Sequence, residues 1–232
     1  MYLDDLPELM GAKRLRASAR GVAIRDGDRA VAVAFVADGT LLPADTLVRF
    51  DVTRGENPSR RLADALTTTG TRAIWFYGGD DATRRAALGL DLALQPVGAA
   101  FVHRMDARAR DRVVLRPPGP ADADALGDAL RAHAGGFSAP QVQVAEIERD
   151  PVGVVLSEKL DGNWTEASAI VYAGFRGRGY GAAILAAATD RLESGGRRVC
   201  AAIDGIEGPA RATLEAAGFR LADYYFTATR RA

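Results

Sequence analysis

The chain has 232 residues, 48% hydrophobic and 26% charged, a balance that supports a buried core and excludes a disordered or fibrous polypeptide. Thirty basic residues match thirty acidic ones, so the global positive charge of a dedicated nucleic-acid binder is missing; no run approaches the roughly 20 apolar residues that span a bilayer. One cysteine, Cys200, and two histidines, His103 and His133, exclude an internal disulfide and leave too few ligands for an ordinary zinc centre, so no metal is expected.

Residues 1–11 carry Asp4, Asp5 and Glu8 where a secretory leader has a basic start and an apolar run, which predicts a cytoplasmic protein. Apolar runs at 22–25 and 30–37 flank Asp26-Gly27-Asp28 and read as a β-hairpin. A strand at 47–52, a helix at 59–66, a strand at 73–77, a helix at 80–88 and a strand at 97–103 follow. The arginine-rich stretch 105–111 has no apolar periodicity and marks a domain boundary, giving domains 1–108 and 109–232.

A comparable order recurs beyond it. Residues 113–116 form a short strand and 121–133 an alanine-rich helix with Leu126 and Leu130 one turn apart. Residues 142–147 fit a helix or a strand equally. Strands at 152–158 and 164–172 flank a second Asp-Gly turn at Asp161-Gly162. A helix at 179–192, a strand at 198–203, a helix at 209–217 opened by Pro209, and a strand at 224–229 complete the chain. The segment 47–59 resembles 170–181, 70–73 resembles 195–198, and 87–90 resembles 216–219, in the same element order, so the two halves read as a duplication.

The most informative segment is 169–185, a strand, a glycine-rich turn and a helix. Gly177, Gly179 and Gly181 allow positive φ and close approach of a ligand to the backbone. The first amides of the following helix have no acceptor within it, and the helix dipole favours an anion there. Arg176 and Arg178 supply counter-charge at the rim, which makes the turn suited to a pyrophosphate. A dinucleotide-binding reading of Gly177, Gly179 and Ala182 fails on two counts. Four residues separate Tyr172 from the first glycine, and about 50 residues then remain, too few for the further strand–helix units of that fold.

Arg176, Gly179 and Gly181, with the flanking element order and the Gly218-Phe219 pair before the last strand, resemble the GCN5-related N-acetyltransferase (GNAT) superfamily over residues 113–230. Residues 1–105 resemble a degenerate copy in which Asn57 and Ser59 replace the glycines and Pro58 intrudes. The resemblance implies an α/β fold of two tandem halves, each a mixed twisted sheet flanked by helices. It implies acetyl-CoA as cofactor, with backbone at Val171 and Ala173 pairing with the pantetheine arm. Amides from Gly177 through Arg178, Gly179, Tyr180 and Gly181 to Ala182 would hold the diphosphate.

The expected reaction is acetyl transfer to a primary amine of a small molecule or peptide, with proton removal and oxyanion stabilisation. Glu166 is the candidate base, one residue out of phase with the family's glutamate, so it faces the other way unless a bulge intervenes. Glu158, Asp204 and Glu207 are weaker candidates. The family's tyrosine acid corresponds to Leu214, leaving Tyr224 or Tyr225 as substitutes, only one of which can face the cleft. Cys200 reads as a small core residue, His103 and His133 as structural, and Trp75 and Trp164 as core or pocket wall. The alternative is a CoA-binding or structural protein without turnover. The identity of the acceptor and the oligomeric state are not legible.

Overall fold

A computed structural model describes residues 18–39, 42–104, 113–132, 140–160 and 162–230. The acidic start at 1–11, the boundary expected at 105–111, His133 and Asp161 lie outside these residues. The chain forms two compact units: residues 18–99 with 223–230, and residues 100–222. The strands β5 (Leu92–His103) and β11 (Phe219–Arg230) run from one unit into the other.

In the first unit β1 (Arg20–Asp26) and β2 (Arg29–Val36) form an antiparallel hairpin in which Gly27 takes φ 59°, as the Asp-Gly pattern requires. β2 pairs antiparallel with β3 (Thr46–Val52). β3 then runs parallel to β4 (Ala73–Tyr77), and the C-terminal part of β11 lies antiparallel against β4, from Tyr225 opposite Tyr77 to Thr229 opposite Ala73. Helices α1 (Pro58–Thr69) and α2 (Asp81–Gly89) bury Leu62, Ala65, Leu66, Ala86 and Ala87 with Leu47, Phe50, Ile74 and Phe76 of the sheet. Leu62, Ala65 and Leu66 on α1, and Thr83, Ala86 and Ala87 on α2, recur at the three- and four-residue spacing that puts side chains on one face.

The second unit carries β6 (Val113–Arg116), α3 (Ala123–Ala132), β7 (Gln141–Ile147), β8 (Asp150–Lys159) and β9 (Trp164–Val171). It continues with α4 (Tyr180–Ser194), β10 (Arg198–Asp204) and α5 (Pro209–Ala216). Its strands lie in the order β10-β9-β8-β7-β6, antiparallel except for the parallel pair β9–β10. Residues 141–147 resolve as a strand because β6 and β8 take both of its edges. Val144 packs with Ala129 of α3 and Ala145 with Ile184 and Ala188 of α4, so helices cover both faces. Leu126 packs inward on α3, whereas Leu130 is exposed.

Several elements extend beyond the sequence expectation. β5 begins at Leu92 rather than 97, and β11 at Phe219 rather than 224. The start of the helix expected at 121–133 is a single 3-10 turn, Pro120–Asp122.

Candidate functional site

The site grows from the end of β9. β9 and β10 pair over three positions only, Trp164 with Arg198, Thr165 with Val199 and Glu166 with Cys200, and then diverge although both strands continue. The Tyr172 amide donates to the Val152 carbonyl on the β8 side. Backbone polar groups alternate sides along a strand, so those of Ala169 and Val171 face the gap. The wedge opens into a cavity of about 420 Å³. Ala167, Ala169 and Val171 form one wall, Ala201 and Ile203 the other, and Leu185, Thr213 and Leu214 of α4 and α5 close it.

At its mouth lies the glycine turn. Gly177 takes φ 77° and Gly179 φ 82°, left-handed values that an L side chain adopts only under strain. Gly179 caps α4 with no side-chain hydrogen bond, and its carbonyl receives the amides of Ala182 and Ala183. The amides of Gly177, Arg178, Gly179, Tyr180 and Gly181 find no acceptor among the described residues. These unpaired donors sit at the positive end of a 15-residue helix. Gly181 sits close to α5: a Cβ there would lie 3.0 Å from Cγ2 of Thr213, tight enough that the threonine side chain would have to shift.

The two arginines are held at the rim. Arg176 Nε donates to the Val171 carbonyl at 3.1 Å, and the Arg178 guanidinium lies over the Phe175 ring, 5.7 Å from its centroid. Phe175 in turn lies against Tyr180, with ring centroids 6.4 Å apart.

The helix start that follows β3 in the first unit is built differently. β3 and β4 also diverge after two paired positions, Thr46 with Ala73 and Leu47 with Ile74. However, Asn57 Oδ1 already accepts the Arg60 amide at the start of α1. The buried Arg61 donates to Glu56, Asp64 and Asp26 at 2.9, 3.0 and 2.7 Å. The chain's own acids surround this helix start, which disfavours a further anion.

No family model matches the sequence, and no curated protein matches it. Solved structures do. A GNAT-family acetyltransferase from Colwellia psychrerythraea superposes with a TM-score of 0.76 at 12% identity, over 96% of this chain and 89% of that one. A tandem GNAT protein from the clavulanic acid biosynthesis pathway gives 0.59 at 16% identity, covering 94% and 86%. A GCN5-related N-acetyltransferase from Kribbella flavida gives 0.55 at 14% identity, covering 97% and 96%. The fold is that of the GNAT acetyltransferases.

Within this GNAT fold the expected site residues are distributed unevenly. Val171, Arg176, Gly177, Gly179, Tyr180 and Gly181 line the cavity. Arg178 stacks beside it, and the Ala182 amide is already bonded to Gly179. Ala173 lies in a 3-10 turn, Ala173–Phe175, beyond the strand edge, while Ala169, which the sequence reading passed over, is in phase with Val171. Glu166 is buried, opposite Glu158 on β8 in a register without a bulge. It therefore keeps phase with Ile170 and Tyr172, which pack on the α3 side, and does not line the cavity.

Tyr224 belongs to the first unit, where its amide donates to Asp223 Oδ1 and its ring meets Phe226 edge-on. Tyr225 is buried and stacks on Trp75 at 5.0 Å, which assigns Trp75 to packing. Trp164 is buried under the Arg198 guanidinium at 3.9 Å. Asp204, Glu207 and Glu158 do not line the cavity either.

Leu214, buried, occupies the floor. Cys200 is buried at the vertex where pairing stops, and burial, reinforced by the negative charge of Glu166, pushes its thiol well above the usual range. His103 hydrogen-bonds Glu193 at 2.8 Å and meets Phe219 edge-on. Thr213, Ser168 and Phe175 also line the cavity; no sequence pattern marked them.

Among the described residues, no group of three or more His, Cys, Asp or Glu could hold a metal ion, and no helix is long and apolar enough to cross a membrane.

Proposed function

We propose that the second unit binds acetyl-CoA and transfers its acetyl group to a primary amine of a small molecule or peptide, in the cytoplasm. One observation carries the reading: a run of amides, from Gly177 to Gly181, left without acceptors at a helix start that opens onto a strand wedge. Such donors suit a diphosphate, and the exposed edge of β9 suits an amide-bearing arm laid down as an added strand. When bound, the cofactor supplies an activated acyl thioester. The chain's residues then orient it: the glycine-turn amides with Arg176 and Arg178 at the phosphate end, Ala169 and Val171 along the edge, and Ala167, Leu185, Ala201 and Leu214 excluding water at the floor.

Ser168, Tyr180 and Thr213 are hydroxyl-bearing residues of the cavity lining, and no carboxylate residue is among that lining. In this reading the amine enters as its free base, so the rate follows the amine's own ionisation. The first unit is a degenerate copy that completes the fold, its helix start occupied by Glu56, Asp64 and Asp26 around Arg61.

The apolar Leu214 and the placement of Glu166 favour a second reading, a CoA-binding protein without turnover. Titration of the pure protein with acetyl-CoA, followed by thiol release across a panel of amines, separates the two. Binding with release supports the transferase, binding alone supports the second reading, and no binding overturns both.

A further inference from the structure

The wedge offers two kinds of attachment, a strand edge and a phosphate cradle, and one side chain stands between them. Arg176 lines the cavity, yet its guanidinium is turned back onto the β9 edge, with Nε donating to the Val171 carbonyl. That carbonyl faces the gap and is one of the acceptors an incoming amide would use. Arg178 is placed instead over the Phe175 ring.

We infer that Arg176 makes the wedge selective for pantetheine-bearing ligands that carry a phosphate, by covering the strand edge until an anion draws the guanidinium away. The inference rests on the cofactor reading above and adds to it a specific competition. A ligand with the amide arm but no phosphate must displace the Arg176 hydrogen bond with nothing to receive the released charge. A ligand with the diphosphate supplies that partner next to the unpaired amides of 177–181, so the exchange is one charge-assisted hydrogen bond for another. The loop is the natural place for such an exchange. Arg176 is exposed and follows a single 3-10 turn, so its side chain can swing without disturbing the core.

The two effects have opposite signs on one substitution. Removing the guanidinium frees the Val171 carbonyl, and an exposed hydrogen bond of this kind is equivalent to roughly two- to tenfold in affinity. It also removes one counter-charge from the phosphate end, which at an exposed position is equivalent to about two- to fivefold.

The test is isothermal titration of the full chain and its Arg176→Ala and Arg176→Met forms with CoA and with pantetheine, which lacks every phosphate. Arg176→Met keeps the apolar stem and so separates charge from packing. Both variants should bind pantetheine about two- to tenfold more tightly, whereas CoA loses the counter-charge as well as gaining the free edge, so that the preference for CoA falls by about two- to fivefold. Weaker or unchanged pantetheine binding in both variants, with CoA still bound by the parent, overturns the inference alone. Absence of CoA binding to the parent chain overturns the cofactor reading beneath it. Matching thermal melts confirm that each variant is folded.

Discussion

Gly153 lies on β8 directly opposite Val171, and a methyl group there has no free volume to enter. A Cβ built on it would sit 2.3 Å from the Ile170 carbonyl oxygen, 3.1 Å from Val171 Cα and 3.2 Å from the Ile170 carbonyl carbon. Carbon–oxygen contacts settle near 3.3 Å or beyond, so Gly153→Ala must widen the β8–β9 spacing locally by about 1 Å. All three atoms are backbone, so no rotamer change relieves the clash and β9 itself has to move. Overpacking of this kind costs about 1–3 kcal/mol, a clash with backbone atoms alone falling in the upper part of that range, and about 1 kcal/mol is offset because alanine restricts the unfolded chain more than glycine does, which leaves about 1–2 kcal/mol. For a chain of this length each kcal/mol shifts the melting temperature by roughly 2–4 °C, so the variant should melt about 2–8 °C lower. Because the displaced segment is the edge that carries Val171, CoA binding should weaken as well. Calorimetry with parallel CoA titration checks both. A melting temperature within about 1 °C of the parent, with unchanged CoA affinity, would refute the packing assigned to this wall.

Other consequences are simpler to read. Asp122 is held at a pKa of about 2 by the side-chain hydrogen bonds of Arg116 and by the Gly119 amide. A depressed carboxylate stabilises the fold above its unfolded value of about 3.9, and that contribution disappears as pH falls through about 2. Asp122→Asn should therefore melt lower than the parent at pH 6 and lose less between pH 4 and pH 2; parallel acid profiles would contradict this. Cys200, buried with its thiol pushed up, should resist an aromatic disulfide reagent at neutral pH and react only after unfolding. Rapid stoichiometric labelling of the native chain would contradict its placement.

The glycine turn was legible because positive φ is a property of the residue itself, and both Gly177 and Gly179 adopt it. The Asp-Gly hairpin at β1–β2 was legible for the same reason. The strand β7 was not, because its turn into β8 places Glu148 at φ 54° and Arg149 at φ 75°, where no glycine or asparagine announces a reversal. The early part of β5 was hidden by Gln95 and Pro96, which read as an interruption. The wedge is a relation between two strands separated by a helix, and no local pattern records where their pairing stops. The strand was expected to continue to Tyr172, and the turn starting at Ala173 could not be seen, so Ala173 was taken for an edge residue and Ala169 was not. Strand alternation did identify Glu166 as out of phase, and the unbroken β8–β9 register keeps it so.

The most direct measurement follows the backbone amides of residues 177–181 by nuclear magnetic resonance during titration with CoA. If these donors receive the diphosphate, their signals move downfield together and saturate with one molecule per chain. If CoA leaves them unmoved while signals elsewhere shift, or shifts nothing at all, the turn is not the phosphate cradle and the proposed chemistry loses its basis.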